Sequence, residues 1–352
     1  MRHRKRAYGR AGRRIILAGI ASAVGLVAAA YLLRFRTSAA PSAPKSILYA
    51  TVRLDAPFDP SFAGEMIAAR AGLFEHEGLS VELKPGSAET DAVRQVSDDN
   101  QTIGVANAQS MLLGRASGVP VVAFAAAYVE SPVVFYTLEK SAIRTPSDFV
   151  GKRIGYRPGQ DTAIIYQAML AKLLMSRSIV HEVKVGSDIT PFLNGEVDVW
   201  PGHAGVDAYI LKQRGVGYNI ISPDSYGVHV PGSVYLTAER TIRENPQLIR
   251  RFLRAVIAGW ELTYTDYATS IPLIASFDAD RLTPDLIRFR LEQQRALLRP
   301  LGARFGEFDD THWQSLQSIL LQQRLLKDPV ELSKTVTYDF LRDAYRRSGR
   351  LE

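Results

Sequence analysis

From Ile47 onward, short runs rich in β-branched and aromatic residues alternate with stretches of helical periodicity, and few folds accommodate that rhythm. Ten runs read as strands: Ile47–Val52, Leu79–Leu83, Thr102–Val105, Val119–Ala125, Val133–Leu138, Arg153–Tyr156, Glu182–Val185, Val197–Trp200, Tyr218–Ile221 and Ser233–Leu236. Strands separated by helix-length segments specify βα units and a largely parallel sheet. Ala63–Ala71 reads as a helix, with Gly72 and Gly78 as its stop and turn. After Thr237 only helical patterns remain. The segment opened by Asn245-Pro246 carries Ile249, Phe252, Leu253, Val256, Ile257 and Trp260 at helical spacing, a broad stripe that faces a core. His312-Trp313, followed by Leu316, Ile319 and Leu320, starts a second amphipathic helix. Thr145-Pro146-Ser147-Asp148 and Thr283-Pro284-Asp285 place a hydroxyl cap before a first-turn proline and acid, and Asn245-Pro246 repeats the cap and proline. The class is α/β, with no internal repeat.

A formal charge of +7 over 352 residues looks like a nucleic-acid signal until it is located. Nine of the 43 Lys and Arg residues, and none of the 36 acids, fall in residues 1–36. The remaining body therefore carries 34 basic against 36 acidic residues, a net charge of −2, and has no electrostatic footprint for DNA or RNA. Within the tail, Ile15–Leu33 is an uncharged run of 19 residues. As a helix it spans roughly 28 Å, close to a hydrocarbon core of about 30 Å. Seven basic residues precede it and Arg34 and Arg36 follow, so the N-terminus stays cytoplasmic and the body lies outside. Two readings stand: an uncleaved anchor, or a signal peptide cut near Ser38-Ala39-Ala40. Residues 37–46, rich in Ser, Ala and Pro, form a linker.

The chain has no cysteine, which excludes disulfides, thiolate nucleophiles, Cys-zinc sites and Fe–S clusters together. The six histidines are scattered, so no metal cluster is expected, and no nucleophile–base pair or G-x-S-x-G stands out. The expectation is a protein that is not an enzyme and carries no cofactor.

Five segments in register carry a family resemblance. Ala68 to Leu83 reads AARAGLFEHEGLSVEL; Ala116-Ser117-Gly118-Val119-Pro120-Val121-Val122 and Thr145 to Gly155 follow in order. They resemble landmarks of the sulfonate, nitrate and thiamine-pyrimidine binding family of ABC-transporter substrate-binding proteins. Pro223-Asp224-Ser225-Tyr226-Gly227-Val228 and Phe252 to Glu261 are most similar to the branch that binds thiamine-precursor pyrimidines and related ring compounds. The resemblance covers about Leu48 to Leu341. It implies a type II periplasmic-binding-protein fold: two α/β lobes with a ligand cleft, joined by crossovers near Ala126–Val133 and Pro231–Ala238. With the tail, the expected order is residues 1–36 as n-region and transmembrane helix, 37–46 linker, 47–126 lobe one, 127–237 lobe two, and 238–352 a helical return packing mainly on lobe one. It further implies a monomer at the outer face of the cytoplasmic membrane that hands a small molecule to an ABC permease and its ATPase.

Candidate ligand residues follow from strand ends and from that resemblance. Asp55 and Gly64 keep the spacing of the pyrimidine branch's first-strand motif, but Ala56 stands where that motif has its stacking Trp. Phe58 or Phe62 takes over the stacking, or both anchor the loop to the core. Asn107, Gln109 and Ser110 follow a strand end where α/β sheets open a ligand crevice, or they cap the next helix. Gln160, Asp161 and Thr162 precede the expected helix Ala163–Leu174. Asp161 there occupies the field that an anion would take, which argues against nitrate or sulfonate. Trp200 is a candidate stacking wall, His203 a polar contact, and Asp207 lies near the position of an acid that pairs with an amino-pyrimidine. Tyr226, in the family-like P-D-x-Y-G-V segment, is the favoured single ligand contact.

Overall fold

The computed structural model describes residues 47–87 and 90–347, so the expected transmembrane or signal segment lies outside the described residues. Among the described residues no helix is long and apolar enough to cross a membrane. Ten strands form: β1 (Leu48–Leu54), β2 (Leu79–Lys84), β3 (Thr102–Asn107), β4 (Val121–Ala126), β5 (Val133–Leu138), β6 (Arg153–Tyr156), β7 (His181–Lys184), β8 (Val199–His203), β9 (Tyr218–Ile221) and β10 (Ser233–Ala238). The helices of eight residues or more are α1 (Ala63–Arg70), α2 (Ala108–Ala116), α3 (Asp161–Lys172), α4 (Val206–Gln213), α5 (Pro246–Thr265), α6 (Tyr267–Ala275), α7 (Pro284–Leu298), α8 (Asp310–Gln322) and α9 (Asp339–Arg347).

The strands divide into two five-stranded sheets, β2-β1-β3-β10-β4 and β7-β6-β8-β5-β9. Both are mixed, a correction to the largely parallel sheet that the βα rhythm suggests. β10 runs antiparallel to β3 and β4, and β5 antiparallel to β8 and β9. Each antiparallel strand is the one that a crossover delivers from the other sheet, so it enters without the intervening helix that keeps βα units parallel. The crossovers run over 127–132 and 222–232 and bond to each other: Ser131 N donates to Val230 O at 3.0 Å and Gly232 N to Tyr128 O at 3.1 Å.

The apolar stripe on α5 is buried as its spacing predicts, with Phe252, Leu253, Val256 and Trp260 in the core beneath the first sheet. α5 packs on α1 backbone to backbone. A Cβ added at Gly259 would fall 2.1 Å from Gly64 O, and one at Gly64 would fall 2.2 Å from the Trp260 ring. Only the smallest side chain fits at this crossing. Asn245, unlike Thr283, makes no side-chain cap, so the Pro246 start stands on proline's fixed φ. α7 touches both lobes. Ile287, Leu291 and Leu298 sit in the first core, while Phe289 packs with Tyr209 of α4, ring centroids 5.6 Å apart, at the edge of the second.

Candidate functional site

A cavity of about 540 Å³ opens where the carboxyl ends of β1 and β3 in one sheet face those of β6 and β8 in the other. A crevice at strand ends is where open α/β sheets bind ligands, because loops there are free of the ladder and helix N-termini point inward. From the first lobe, Asp55 follows β1, Phe62 ends a 3-10 turn at Pro60–Phe62, and Asn107 and Ser110 straddle the start of α2. Gln109 lines the wall as well. From the second lobe come Gln160 and Asp161 at the start of α3, and His203 at the end of β8. Eight of the residues chosen from the sequence thus meet at one cavity. Asn107 lines the cavity, and its Oδ1 accepts from Ser110 N at 2.7 Å as the α2 cap.

Five chosen residues are not on the cavity wall. Trp200 is completely buried; its Nε1 donates to Asp207 Oδ1 at 3.0 Å and the Arg157 guanidinium lies 4.7 Å over its ring. Asp207 is buried with it and also accepts from His203 N at 3.2 Å, so it holds the β8 end in place instead of facing solute. Phe58 packs on Phe277 at 4.8 Å, the core-anchor alternative. The Thr162 side chain points into the interior behind α3, and Tyr226 packs half-buried against the second-lobe core. For Trp200 strand alternation, and for Thr162 and Asp207 helical phase, turns the side chain away from the opening, and strand-end position alone does not reveal that.

The charges on the wall are mostly matched. His203 Nε2 and Asp161 Oδ2 are 2.9 Å apart. Burial pulls the imidazole pKa down, but the Asp161 charge and bond outweigh it and leave the group raised. Burial likewise opposes ionisation of Asp161, and His203 together with the Thr162 backbone N–H overcomes it, leaving the acid lowered. Arg290 of α7 grips Asp59 bidentately, Nη1 to Oδ2 at 3.0 Å and Nη2 to Oδ1 at 2.7 Å. Arg281 donates to Asp278 Oδ2 at 2.9 Å and to Phe58 O at 2.8 Å. Among the described residues no ion pair is formed by Asp55, and His203 acts on it only at a distance. Burial pushes it up to about 6, against the opposing backbone N–H of Asn107.

The first crossover and the start of α7 are placed from the sequence, but neither is assigned a site residue there. Tyr128, on that crossover, lines the cavity and donates from its hydroxyl to Gln294 Oε1 at 2.7 Å. Tyr128 follows the end of β4 by two residues, whereas Arg290 and Gln294 follow no strand end and come 231 and 234 residues further along the chain than Asp59 and Pro60. The available signal was the i, i+4 spacing of two long polar side chains within an otherwise apolar helix face, Arg290 and Gln294.

This architecture defines the class, a two-lobed solute-binding fold with an interlobe cavity. The NMT1/THI5-like family matches residues 59–268, and the chain belongs to that family. The riboflavin-binding protein RibY of Chloroflexus aurantiacus is 26% identical over 316 residues, covering 86% of this chain and 88% of RibY. A Haemophilus influenzae protein assigned to thiamine biosynthesis is 24% identical over 195 residues, 54% of this chain and 61% of that one, so the chain spans under two thirds of it. Among solved structures, the periplasmic aliphatic sulphonate binding protein SsuA of Escherichia coli superposes with a TM-score of 0.66 at 17% identity, over 83% of this chain and 92% of SsuA. The desulfurization enzyme DszB shares the fold at a TM-score of 0.61 and 16% identity, over 85% of this chain and 99% of DszB.

Proposed function

We propose that this chain is the extracytoplasmic substrate-binding component of an ABC importer, and that it captures a flat, nitrogen-bearing heteroaromatic solute between its lobes without chemical change. One observation carries the ligand class. Each basic side chain on the cavity wall is paired with an acid, Arg290 with Asp59, His203 with Asp161 and Arg281 with Asp278, while among the described residues no ion pair is formed by Asp55, which feels the His203 charge only at a distance. Such a wall offers acceptors to N–H groups and no unengaged cation to an oxyanion, which would enter against Asp55 at full desolvation cost. The aromatic rings of Phe62 and Tyr128 suit a planar guest.

A thiamine-precursor pyrimidine is the first solute, supported by the family and by the segments that resemble its pyrimidine branch. A flavin is the second, supported by the similarity to RibY over 86% of this chain and by the cavity volume, within the range of about 300–1,000 Å³ that drug-sized ligands occupy. The Ile15–Leu33 segment would hold the protein at the membrane or direct its export. The test is a thermal-shift panel of 4-amino-5-hydroxymethyl-2-methylpyrimidine, riboflavin, taurine and nitrate. A solute at about 100 times its Kd adds about 2.7 kcal/mol, a melting shift on the order of 5–10 °C. A shift with taurine or nitrate and none with either ring compound overturns the ligand class.

A further inference from the structure

We propose that Tyr128 is the aromatic platform on which the captured ring stacks, and that Gln294 is the residue that positions it; this rests on the heteroaromatic reading above. Two rings other than His203 line the cavity, those of Phe62 and Tyr128. Both belong to the apolar core of the first lobe, 4% and 5% exposed, but they are anchored differently: Phe62 ends a 3-10 turn and has no polar atom to fix its ring. Tyr128 belongs to neither sheet. It sits on the first crossover, where its backbone N donates to Ser233 O at 2.8 Å and its carbonyl accepts from Gly232 N at 3.1 Å.

The far end of the side chain is fixed as firmly. The hydroxyl donates to Gln294 Oε1 at 2.7 Å, and Gln294 Nε2 donates to Pro60 O at 2.8 Å. Gln294 is 2% exposed, so no water competes for these bonds. One turn earlier on α7, Arg290 clamps Asp59, the neighbour of Pro60. The same helix face thus pins both the ring and the turn beside it. A ring held at both ends loses little freedom when a second ring stacks on it, which favours binding. With the hydroxyl committed to Gln294, what remains for recognition is the ring itself. Its place between the sheets also puts a stacked solute within one cavity with Asp55 and Asn107 on one side and Asp161 and His203 on the other.

The test uses the full chain, with calorimetry of riboflavin and of 4-amino-5-hydroxymethyl-2-methylpyrimidine and with the emission of bound riboflavin. Tyr128→Leu keeps apolar bulk but no ring and should weaken the bound probe about tenfold or more. Tyr128→Phe keeps the ring and loses the anchor, so it should cost about threefold; Gln294→Met should cost the same, and the double variant no more than either alone. A stacked phenol quenches flavin emission by electron transfer to the excited ring and a phenyl does not, so riboflavin bound to Tyr128→Phe should emit more strongly than on the wild type. Equal emission from the two proteins, or wild-type affinity in a Tyr128→Leu chain whose melting curve is intact, overturns the assignment alone. Additive losses in the double variant remove the role of Gln294. Failure of the wild type to bind either ring compound withdraws the heteroaromatic reading, and the platform with it.

Discussion

Glu65 lies on α1 with no exposed surface. Burial pushes its pKa up to about 7, with its own backbone N–H and the nearby Tyr235 hydroxyl opposing. The sign of the consequence is fixed. The unfolded chain releases this proton near 4.5, its ordinary value, whereas the folded chain keeps it to about 7. The folded state is therefore unpenalised below pH 4 and loses stability as pH rises from there through 7. Asp55, held at about 6, contributes in the same direction. Glu65→Gln removes the titration while keeping the shape. Relative to wild type it should gain on the order of 1–3 kcal/mol between pH 5 and pH 8, read from denaturant melts at the two values. A variant whose difference from wild type is the same at both would show that Glu65 ionises freely.

At the scale of elements, the position of Asp55 depends on the loop after β2. Gly86 N donates to Ala56 O at 2.8 Å, and a Cβ at Gly86 would fall 2.4 Å from Leu54 O and 2.6 Å from the Asp55 carbonyl carbon. These are backbone atoms and cannot turn aside. Gly86→Ala must push the end of β1 toward the cavity, at a cost of about 1–3 kcal/mol. Its affinity for whichever ring compound stabilises the wild type should fall by more than about tenfold, because site groups tolerate displacement of only about 0.5 Å. An unchanged affinity would show that β1 does not set the site.

For the whole molecule, the lobes meet at the cavity and again at α7. Phe289 lies against Tyr209 at 5.6 Å and under Lys212 Nζ at 4.9 Å, both on α4, while α7 itself is fixed to the first lobe through Arg290 and Gln294. Phe289 is not on the cavity wall. Under the proposed capture of solute between the lobes, a contact between lobes and away from the solute favours the closed state. Phe289→Ala should speed solute release several-fold and leave the association rate nearly unchanged, a pattern that stopped-flow mixing resolves. Equal release rates would place the closing energy entirely in the cavity.

Every strand core, the α5 stripe and the strand-end residues Asp55, Asn107, Asp161 and His203 were legible in the sequence, because periodicity and turn chemistry act over a few residues. The ring platform and the orientation of Trp200 and Asp207 were not. Trp200 and His203 lie three apart on one strand, so alternation puts them on opposite faces, and the packing around β8 decides that the indole face is the core and the imidazole face the cavity. Arg290 and Gln294 owe their places to a helix that returns to the cavity from the far end of the chain, and Tyr128, on the first crossover, has its hydroxyl held by that helix. Local sequence determined which segments are strands and helices and which strand ends could bear polar groups. Tertiary structure decided which of those groups share a cavity, since contacts between residues far apart in sequence are set by the packing of whole elements and leave no local periodicity to read.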